Sequence, residues 1–232
     1  MTKRRSANVE RVHAIVPLKT IKKSKTRLSA LPPRDRAQLT VAMLSNVLAA
    51  LRESRRVSDV TVVSADKSAS RIAHRYGAEY LSEGRRHGLN RALRLAIRKL
   101  EQRTTGTAMI IHADLPLLKS QDIDKFLSRA EGFQIAMVPC KNGTGTNALL
   151  LTPPNAIRPV FGKRSFKMHL SLAEKARIRC RVLRIRGIQF DIDDSRDLRK
   201  FMRQDARAES FRFLKHSSEC RVPRRTAWRL RS

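Results

Sequence analysis

Apolar positions along this chain follow two spacings, one typical of buried strands and one typical of helices with a single apolar face. Short apolar runs predict strands at residues 12–16, 59–63, 78–81, 109–111, 133–138, 148–151, 181–185 and 188–190. Apolar residues three or four positions apart predict helices at residues 33–55, 68–76, 89–103, 120–130, from about 165 onward, and 195–202. Because strands and helices alternate from the start of the chain, the pattern predicts a three-layer α/β sheet.

The stretch AMIIHADLPLL, residues 108–118, forms the centre of the predicted sheet. Met109, Ile110 and Ile111 suit a buried parallel strand, and the apolar run stops abruptly before Asp114. Ligands of open α/β sheets collect outside the carboxyl ends of the strands, so Asp114 is well placed to hold a divalent cation against a phosphate. An ordinary loop or capping aspartate is the alternative at this position.

Length and composition limit how the chain is organised. Its 232 residues, 41% of them hydrophobic, suffice for one sizeable core but not for two full domains. We therefore expect a basic N-terminal extension at 1–10, one domain at 11–204 and a basic C-terminal tail at 205–232. The formal net charge is +30, and most of it lies on the body of the chain. Such a charge favours anionic partners, which include nucleotides, phosphorylated metabolites, nucleic acids and acidic lipids.

The cysteines and the first residues of the chain give indications of the protein's cellular compartment. Cys140, Cys180 and Cys220 stand apart from one another, with no CxxC motif or nearby histidine pair, so we expect reduced thiols. The basic start MTKRRSANVE is not followed by the apolar segment of a signal peptide. No run approaches the roughly 18 apolar residues of a membrane span. We therefore expect a cytoplasmic protein without a membrane partner.

Residues 18–28, LKTIKKSKTRL, form a predicted loop with five cations and no acid, namely Lys19, Lys22, Lys23, Lys25 and Arg27. Like charges this close repel one another, and an anion such as a triphosphate would hold them together. A solvated basic loop is the alternative. A Walker-type phosphate loop is absent, because the segment GKRS at 162–165 has Ile157 where that motif requires glycine.

Two further residues and one segment give weaker indications of a functional role. Asn90 lies in the first turn of a predicted helix, where its amide could meet a nucleotide, although a helix cap is the commoner role. The segment KNGTGTN at 141–147 suits either close approach to a ligand or an Asn-Gly hairpin turn. His169 follows a predicted helix start, and a buried histidine is more often a structural hydrogen-bonding group than a catalyst.

Asp191 and Asp193 flank the apolar Ile192, so an extended backbone would turn both carboxylates the same way. Two carboxylates on one face are unfavourable unless a cation or solvent separates them. Together with Asp114 they could coordinate Mg²⁺. Asp194 or Ser195 is expected to cap the helix that follows.

Six blocks of the chain resemble, in the same order, those of the 2-phospho-L-lactate guanylyltransferase family, which makes the activated intermediate of the deazaflavin coenzyme F-420. They are IVPLKTIKKSKTRL, GLNRAL, HADLPLL, NGTGTNALLL, FGKRSFKMHLSLA and FDIDDSRDL, and they lie within residues 11–202. The resemblance implies the Rossmann-like fold of nucleotide-diphospho-sugar transferases (GT-A type), with a mainly parallel mixed sheet. It also implies GTP and a phosphorylated three-carbon acid as substrates, with 2-phospho-L-lactate first and phosphoenolpyruvate or 3-phosphoglycerate as the other acids.

The resemblance also implies roles for individual residues. The family's contacts to the phosphorylated acid correspond to Thr146, Gly162 and Ser165. Its Mg²⁺ ligands correspond to Asp114, Asp191 and Asp193. Its triphosphate-binding loop corresponds to the segment from Lys19 to Arg27. Two features depart from the family's pattern: Cys140-Lys141 replaces an acidic and then a basic residue before the GTGTN glycines, and the basic tail has no recognisable counterpart.

The implied reaction depends on the stabilisation of negative charge and not on a strong base. A phosphate oxygen of the acceptor, already ionised near neutral pH, would attack the α-phosphorus of GTP and expel pyrophosphate. Lys25, Arg27 and Lys19 would stabilise the charge that develops on the pyrophosphate, with Mg²⁺ bridging the phosphates and Asp114.

Other functions stay open at this point. The charge of +30 and the Arg-rich tail would suit a nucleic-acid-binding protein, although only 5% of the residues are aromatic and no reading module is recognisable. A related nucleotidyltransferase that uses CTP or acts on a sugar phosphate is a further alternative. Whether the protein forms a homodimer is also open.

Overall fold

One mixed sheet with helices on both faces organises the computed structural model, which describes residues 12–21, 25–29, 31–83, 88–103 and 106–203. The strands are β1 (Val12–Leu18), β2 (Val57–Ser64), β3 (Glu79–Ser82), β4 (Thr107–Ile111), β5 (Ile135–Pro139), β6 (Thr146–Leu151) and β7 (Cys180–Val182). The helices are α1 (Pro33–Glu53), α2 (Ser68–Arg75), α3 (Leu89–Glu101), α4 (Ser120–Ala130), α5 (Ser165–Lys175), α6 (Arg186–Gln189) and α7 (Ser195–Met202).

The strands lie in the order β3-β2-β1-β4-β6-β5-β7. Neighbouring strands are parallel except that β6 runs antiparallel to both β4 and β5. β4 lies at the centre of the sheet, and all of its residues are buried, as its continuous apolar run predicts. The predicted α/β architecture with a mainly parallel mixed sheet is confirmed.

The central strand divides the core into two halves, because successive residues of a strand point to opposite faces. Met109 and Ile111 belong to the apolar cluster that includes α1, α2 and α4. Ala108 and Ile110 belong to the cluster that includes α3 and α5. The three layers of the fold follow from this alternation.

The segment after β7 differs from its prediction. The strand predicted at 188–190 is wrong, because Arg186–Gln189 forms the short helix α6. Ile185 and Ile188 are both buried, and their spacing of three residues places them on the same side of a helical turn. A short apolar run does not by itself distinguish a strand from a buried turn of helix.

Some predictions concern residues outside the described ranges. They are the N-terminal extension at 1–10, Lys22 and Lys23 of the basic loop, and the C-terminal tail at 205–232. Among the helices that the structure does describe, none combines the length and the apolar character that crossing a membrane requires.

Candidate active site

A cleft of about 580 Å³ opens where β1 and β4 end. Nine predicted site residues line it, namely Lys19, Lys25, Arg27, Asp114, Thr146, Gly162, Ser165, Asp191 and Asp193. They belong to segments that are far apart in the sequence, and the topology of the sheet brings them together. The cleft therefore lies at the carboxyl end of the central strand, where α/β sheets commonly bind ligands.

Lys25 lies between two carboxylates of the cleft. Its Nζ is 2.6 Å from Asp114 Oδ2 and 3.4 Å from Asp193 Oδ1, so these two oxygens are at most about 6 Å apart. The side chain of Lys25 is only 9% exposed. Its backbone φ is 54°, a left-handed conformation that a residue with a side chain adopts at some cost. The two ion pairs thus stabilise a conformation that the backbone alone disfavours.

The charged groups of the cleft shift one another's pKa values. Burial, together with the negative charges of Asp114 and Asp193, raises the pKa of Asp191 to about 7. Burial alone would also raise the pKa of Asp114, but the charges of Lys25 and His112 outweigh it and lower that pKa. Burial opposes the charge of Lys25 as well, yet the neighbouring carboxylates raise the Lys25 pKa. The negative charge of the three carboxylates therefore exceeds the positive charge of Lys25, which lies between two of them. A further cation would relieve the repulsion between the carboxylates.

An apolar cluster below the cleft fixes the Lys25 loop against the segment that carries Asp191 and Asp193. Leu28 and Ile192 are both fully buried in this cluster, where they are joined by residues of α1 and α7. The backbone N–H of Ile192 donates to the carbonyl oxygen of Asp114 at 3.4 Å. Burial of Ile192 leaves Asp191 and Asp193 to line the cleft, as the alternation along this segment predicts.

The helix that follows begins with the predicted cap. Asp194 accepts hydrogen bonds from the backbone N–H groups of Arg196 at 2.8 Å and Asp197 at 3.1 Å. Asp197 in turn accepts the N–H of Asp194, which completes a capping box. The cap fixes the end of the acidic segment, because α7 starts directly after it.

The donor set of the cleft fits a magnesium ion that arrives with a nucleotide. Among the residues that the structure describes, no three histidine, cysteine or acidic side chains form a ready-made metal site. Asp114 Oδ1 is nevertheless buried, and no residue within the described ranges gives it a hydrogen-bond partner. Mg²⁺ commonly binds through one or two carboxylates and completes its coordination with phosphate oxygens and water. Asp114, Asp191 and Asp193 therefore stay the predicted ligands.

A second group of cleft residues is uncharged. The backbone N–H of Thr146 donates to Ser165 Oγ at 3.0 Å, and Thr146 Oγ1 lies 3.0 Å from His169 Nδ1. His169 is fully buried, and its Nε2 accepts the backbone N–H of Val160 at 3.0 Å. Burial, with a smaller effect of His112, lowers the pKa of His169 to about 4. His169 is thus a neutral structural hydrogen-bonding group near neutral pH, as predicted.

The segment 141–147 contains the turn between the antiparallel strands β5 and β6 and the first two residues of β6, which confirms the hairpin interpretation of its Asn-Gly pair. Gly143 has a φ of 71°, which glycine adopts without strain. Asn142 Oδ1 accepts the N–H of Thr144 at 3.0 Å, and Cys140 Sγ accepts the N–H of Gly145 at 2.9 Å. The same turn also lines the cleft.

Asn90, predicted to contact a nucleotide, is absent from the lining of the cleft. Its amide nitrogen donates to the carbonyl oxygen of Phe161 at 3.0 Å, and its amide oxygen accepts the N–H of Phe161 at 2.7 Å. Both polar atoms are engaged with the backbone next to Gly162. In this structure Asn90 therefore fixes the loop that carries Gly162, and direct contact with a nucleotide stays a prediction.

His112 belongs to the central HADLPLL block, but no role was predicted for it. His112 lines the cleft, and its ring centroid lies 5.2 Å from that of Phe161. Its Nε2 is buried and has no hydrogen-bond partner in the part of the chain that the structure describes. Burial, only partly offset by Asp114, lowers the pKa of His112. Its place two residues before Asp114, at the end of a buried strand, was the signal that could have identified it.

Sequence comparison places these features among known proteins. Residues 12–230 match the family described as Guanylyl transferase CofC like. The phosphoenolpyruvate guanylyltransferase of Sphaerobacter thermophilus is 38% identical over 186 residues, which cover 80% of this chain and 89% of that protein. The 2-phospho-L-lactate guanylyltransferase of Methanobrevibacter smithii is 27% identical over 205 residues, which cover 88% of this chain and 89% of that protein.

Comparison with solved structures bears on the fold. A protein from Desulfovibrio desulfuricans G20, assigned as a nucleotide-diphospho-sugar transferase, superimposes with a TM-score of 0.73 at 15% sequence identity. The match covers 90% of this chain and 96% of that protein. The nucleotide-diphospho-sugar transferase fold predicted from the sequence is thereby confirmed.

Proposed function

Because this chain belongs to the CofC-like guanylyl transferase family, we propose that it joins the GMP moiety of GTP to a phosphorylated three-carbon acid and releases pyrophosphate. Family membership makes the protein a guanylyltransferase, which is an enzyme of the nucleotidyltransferase class. A nucleotide and a phosphorylated acid are therefore its classes of substrate. The choice of GTP and of the individual acid, and a place in coenzyme F-420 biosynthesis, belong to the proposal.

The presence of both cationic and hydroxyl side chains in one cleft is the observation that supports this reaction. Lys25 and Arg27, with Lys19 beside them, suit the triphosphate of GTP. The hydroxyls of Thr146 and Ser165 suit the oxygens of a smaller anion. Transfer of a nucleotidyl group to a phosphate requires that two anions be held side by side in one cleft.

The chain's own residues would lower the barrier through charge rather than through proton transfer. The acceptor phosphate is ionised near neutral pH, so its oxygen attacks the α-phosphorus of GTP without a strong base. Lys25, Arg27 and Lys19 stabilise the negative charge that develops on the departing pyrophosphate. When Mg²⁺ is bound, with Asp114, Asp191 and Asp193 as the residues that hold it, it neutralises phosphate oxygens of the nucleotide.

Phosphoenolpyruvate is the acceptor that we place first, ahead of the 2-phospho-L-lactate that the family resemblance put first. The relative named for phosphoenolpyruvate is 38% identical to this chain, and the relative named for 2-phospho-L-lactate is 27% identical. Both acids carry a phosphate beside a carboxylate and differ by one oxidation level. One or two contacts in the cleft are enough to distinguish such acids.

Release of pyrophosphate, measured with pairs of substrates, tests the proposed function. The protein and Mg²⁺ are incubated with GTP, CTP or ATP and with phosphoenolpyruvate, 2-phospho-L-lactate, 3-phosphoglycerate or a sugar phosphate. We expect release to require GTP and one of the three acids, with phosphoenolpyruvate the fastest, and mass spectrometry to identify the guanylylated acid. Release with a sugar phosphate and with none of the acids would contradict the proposed acceptor class.

The charge of +30 favours nucleic-acid binding as a second candidate function. Arg179 and Arg181 at the exposed sheet edge both place their guanidinium groups over the ring of Phe133, at 5.3 and 5.2 Å. A filter-binding titration of RNA and DNA against salt tests this function. Sub-micromolar affinity at physiological ionic strength with a steep salt dependence would support it.

A further inference from the structure

We infer that His169 is a positioning residue for the acceptor, because it sets the direction of the hydrogen bond to Thr146 and so turns the Thr146 hydroxyl into a donor toward the cleft. This inference rests on the proposed function, since the anion that the hydroxyl receives is the phosphorylated acid. His169 itself does not line the cleft, and it would act on the substrate only through Thr146.

The hydrogen-bond partners of His169 determine which ring nitrogen carries the proton. The backbone N–H of Val160 is always a donor, so Nε2, which lies 3.0 Å from it, must accept and cannot carry a hydrogen. Full burial of the ring disfavours a charged imidazolium and lowers its pKa to about 4. The remaining proton of the neutral ring therefore lies on Nδ1, and it is donated to Thr146 Oγ1 at 3.0 Å.

The same reasoning then applies to the Thr146 hydroxyl. Its oxygen is already an acceptor, so its one hydrogen is free to be donated to another group. In the part of the chain that the structure describes, the only hydrogen bond of this hydroxyl is the one to His169. Thr146 lines the cleft, which makes a bound ligand the natural acceptor.

The hydroxyl of Ser165, like that of Thr146, accepts one hydrogen bond and can donate another. Its Oγ accepts the backbone N–H of Thr146 at 3.0 Å, so its own hydrogen is also available as a donor. Thr146 and Ser165 are both buried, at 1% and 2% exposure, and both line the cleft. Two adjacent hydroxyls that present hydrogens select an anionic oxygen, since hydrogen bonds to charged groups are stronger than those to neutral groups.

The opposite tautomer of His169 would reverse this preference. With the proton on Nε2, that hydrogen would oppose the N–H of Val160, and Nδ1 would take up the Thr146 hydrogen. Thr146 would then present a lone pair to the cleft, and a phosphate or carboxylate oxygen would be repelled. The backbone N–H of Val160 therefore acts on acceptor binding through two successive hydrogen bonds.

Two substitutions of His169 each preserve one of its two hydrogen bonds and remove the other. His169→Asn places an amide N–H where Nδ1 was and preserves the donor to Thr146. His169→Gln places an amide oxygen near the former Nε2, which preserves the acceptor for Val160 and removes the donor. We expect His169→Gln to raise the KM for phosphoenolpyruvate roughly 10- to 100-fold, with a change in the KM for GTP below about 3-fold. We expect His169→Asn to raise the phosphoenolpyruvate KM by less than about 5-fold.

A double-mutant cycle tests whether the effect passes through Thr146. If it does, His169→Gln changes the phosphoenolpyruvate KM by less than about 2-fold in a protein that already carries Thr146→Val. Thermal melting of each variant shows whether it folds. Equal effects of the asparagine and glutamine variants, or an unchanged effect in the Thr146→Val protein, would show that His169 has a general packing role and would overturn the inference.

The tautomer itself is measured on the wild-type protein by long-range ¹H–¹⁵N correlation spectra of ¹⁵N-labelled histidine. We expect protonated Nδ1 and unprotonated Nε2 for His169, unchanged between pH 6 and 8. A proton on Nε2, or a charged ring, would overturn the inference. This measurement needs no substrate, so wild-type protein that transferred GMP to none of the acids would refute the proposed function without affecting the result for the tautomer.

Discussion

Lys25 Nζ lies 2.6 Å from Asp114 Oδ2, so an internal ammonium group occupies the position beside Asp114 where a divalent cation is expected to bind. The same ammonium also faces Asp193 at 3.4 Å. An ammonium group and a divalent cation repel each other, so the two would not share this position. Binding of Mg²⁺ with GTP would therefore displace Lys25 from Asp114 toward the phosphates.

Replacement of Lys25 tests this exchange. Lys25→Gln removes the cation that competes with a metal ion, so in the absence of nucleotide the variant should bind Mn²⁺, a probe for Mg²⁺, more tightly than the wild type. At the same time its turnover should fall by a factor of order 10², because a group that we propose to stabilise the charge on the departing pyrophosphate is lost. Electron paramagnetic resonance titration gives the free Mn²⁺, and pyrophosphate release gives the turnover.

Lys19→Gln is the matched control, since Lys19 also lines the cleft but is not ion-paired with its carboxylates. We expect this variant to raise the KM for GTP and to leave the nucleotide-free Mn²⁺ affinity unchanged. Weaker Mn²⁺ binding by Lys25→Gln than by the wild type would show that Lys25 does not occupy the cation position.

The raised pKa of Asp191 predicts a pH dependence of stability. In the folded protein this pKa is about 7, whereas the ordinary value is 3.8. Between about pH 4 and 7 the folded protein holds a proton that the unfolded chain has released, so the contribution of Asp191 to stability falls as the pH rises through this window. Asp191→Asn removes the titrating group and should become progressively more stable than the wild type from pH 5 to 8.

Thermal melting of both proteins in buffer with EDTA measures this difference, because a bound metal ion would stabilise the ionised carboxylate. Groups outside the cleft titrate alike in the two proteins, so the difference between the two melting temperatures reports on Asp191 and on the cleft groups that interact with it. A difference that stays constant from pH 5 to 8 would contradict the raised pKa.

Much of the fold could be predicted from the sequence because its signals are local. The continuous apolar run of β4 identified a strand buried on both faces and placed Asp114 at its end. The alternation at 191–193 predicted that the two carboxylates would point the same way, and both line the cleft while Ile192 is buried. By contrast, the apolar run that includes Ile188 and Phe190 is too short to reveal its period, and the strand predicted at 188–190 was wrong.

The contacts that define the site were less accessible to sequence analysis. The ion pair of Lys25 with Asp114 joins residues 89 positions apart, and no local pattern indicates such a pairing. Asn90 was judged by its place at a helix start, whereas its partner Phe161 comes from a loop 71 positions later. The tertiary fold decides both contacts, so propensity and spacing could suggest only which residue types were available.

The apolar cluster below the cleft should couple stability to activity. Ile192 is fully buried there together with Leu28, which follows Lys25 in the basic loop. Ile192→Ala should destabilise the protein by about 2–5 kcal/mol. Because the cluster positions Lys25 against Asp193, the variant should also lose activity at temperatures where it is still folded. Val182→Ala on the edge strand is the control, since Val182 is 41% exposed and its loss should cost less than about 0.5 kcal/mol.

Urea unfolding and pyrophosphate release, measured on the same preparations, compare the two variants. Ile192→Ala with wild-type kcat/KM at low temperature would show that the cluster stabilises the fold without positioning the site.

Asn90→Ala distinguishes two roles of this residue. If Asn90 mainly fixes the loop at Phe161, its loss should raise the KM for phosphoenolpyruvate more than the KM for GTP, because that loop carries Gly162 and leads to Ser165. Loss of the two hydrogen bonds should also cost about 1–3 kcal/mol of stability. Steady-state kinetics with each substrate varied in turn gives both constants. A rise confined to the KM for GTP would support direct contact with the nucleotide.

Turnover of Asp114→Asn, with GTP, phosphoenolpyruvate and Mg²⁺ at saturation, tests most directly whether the cleft is the site of GMP transfer. The substitution keeps the size of the side chain and removes the charge that faces Lys25 and the expected metal ion. We expect a folded protein, verified by circular dichroism, whose rate of pyrophosphate release is lower than that of the wild type by a factor of order 10² or more. A folded variant with a near-normal rate would exclude Asp114 from the reaction and contradict the placement of catalysis in this cleft.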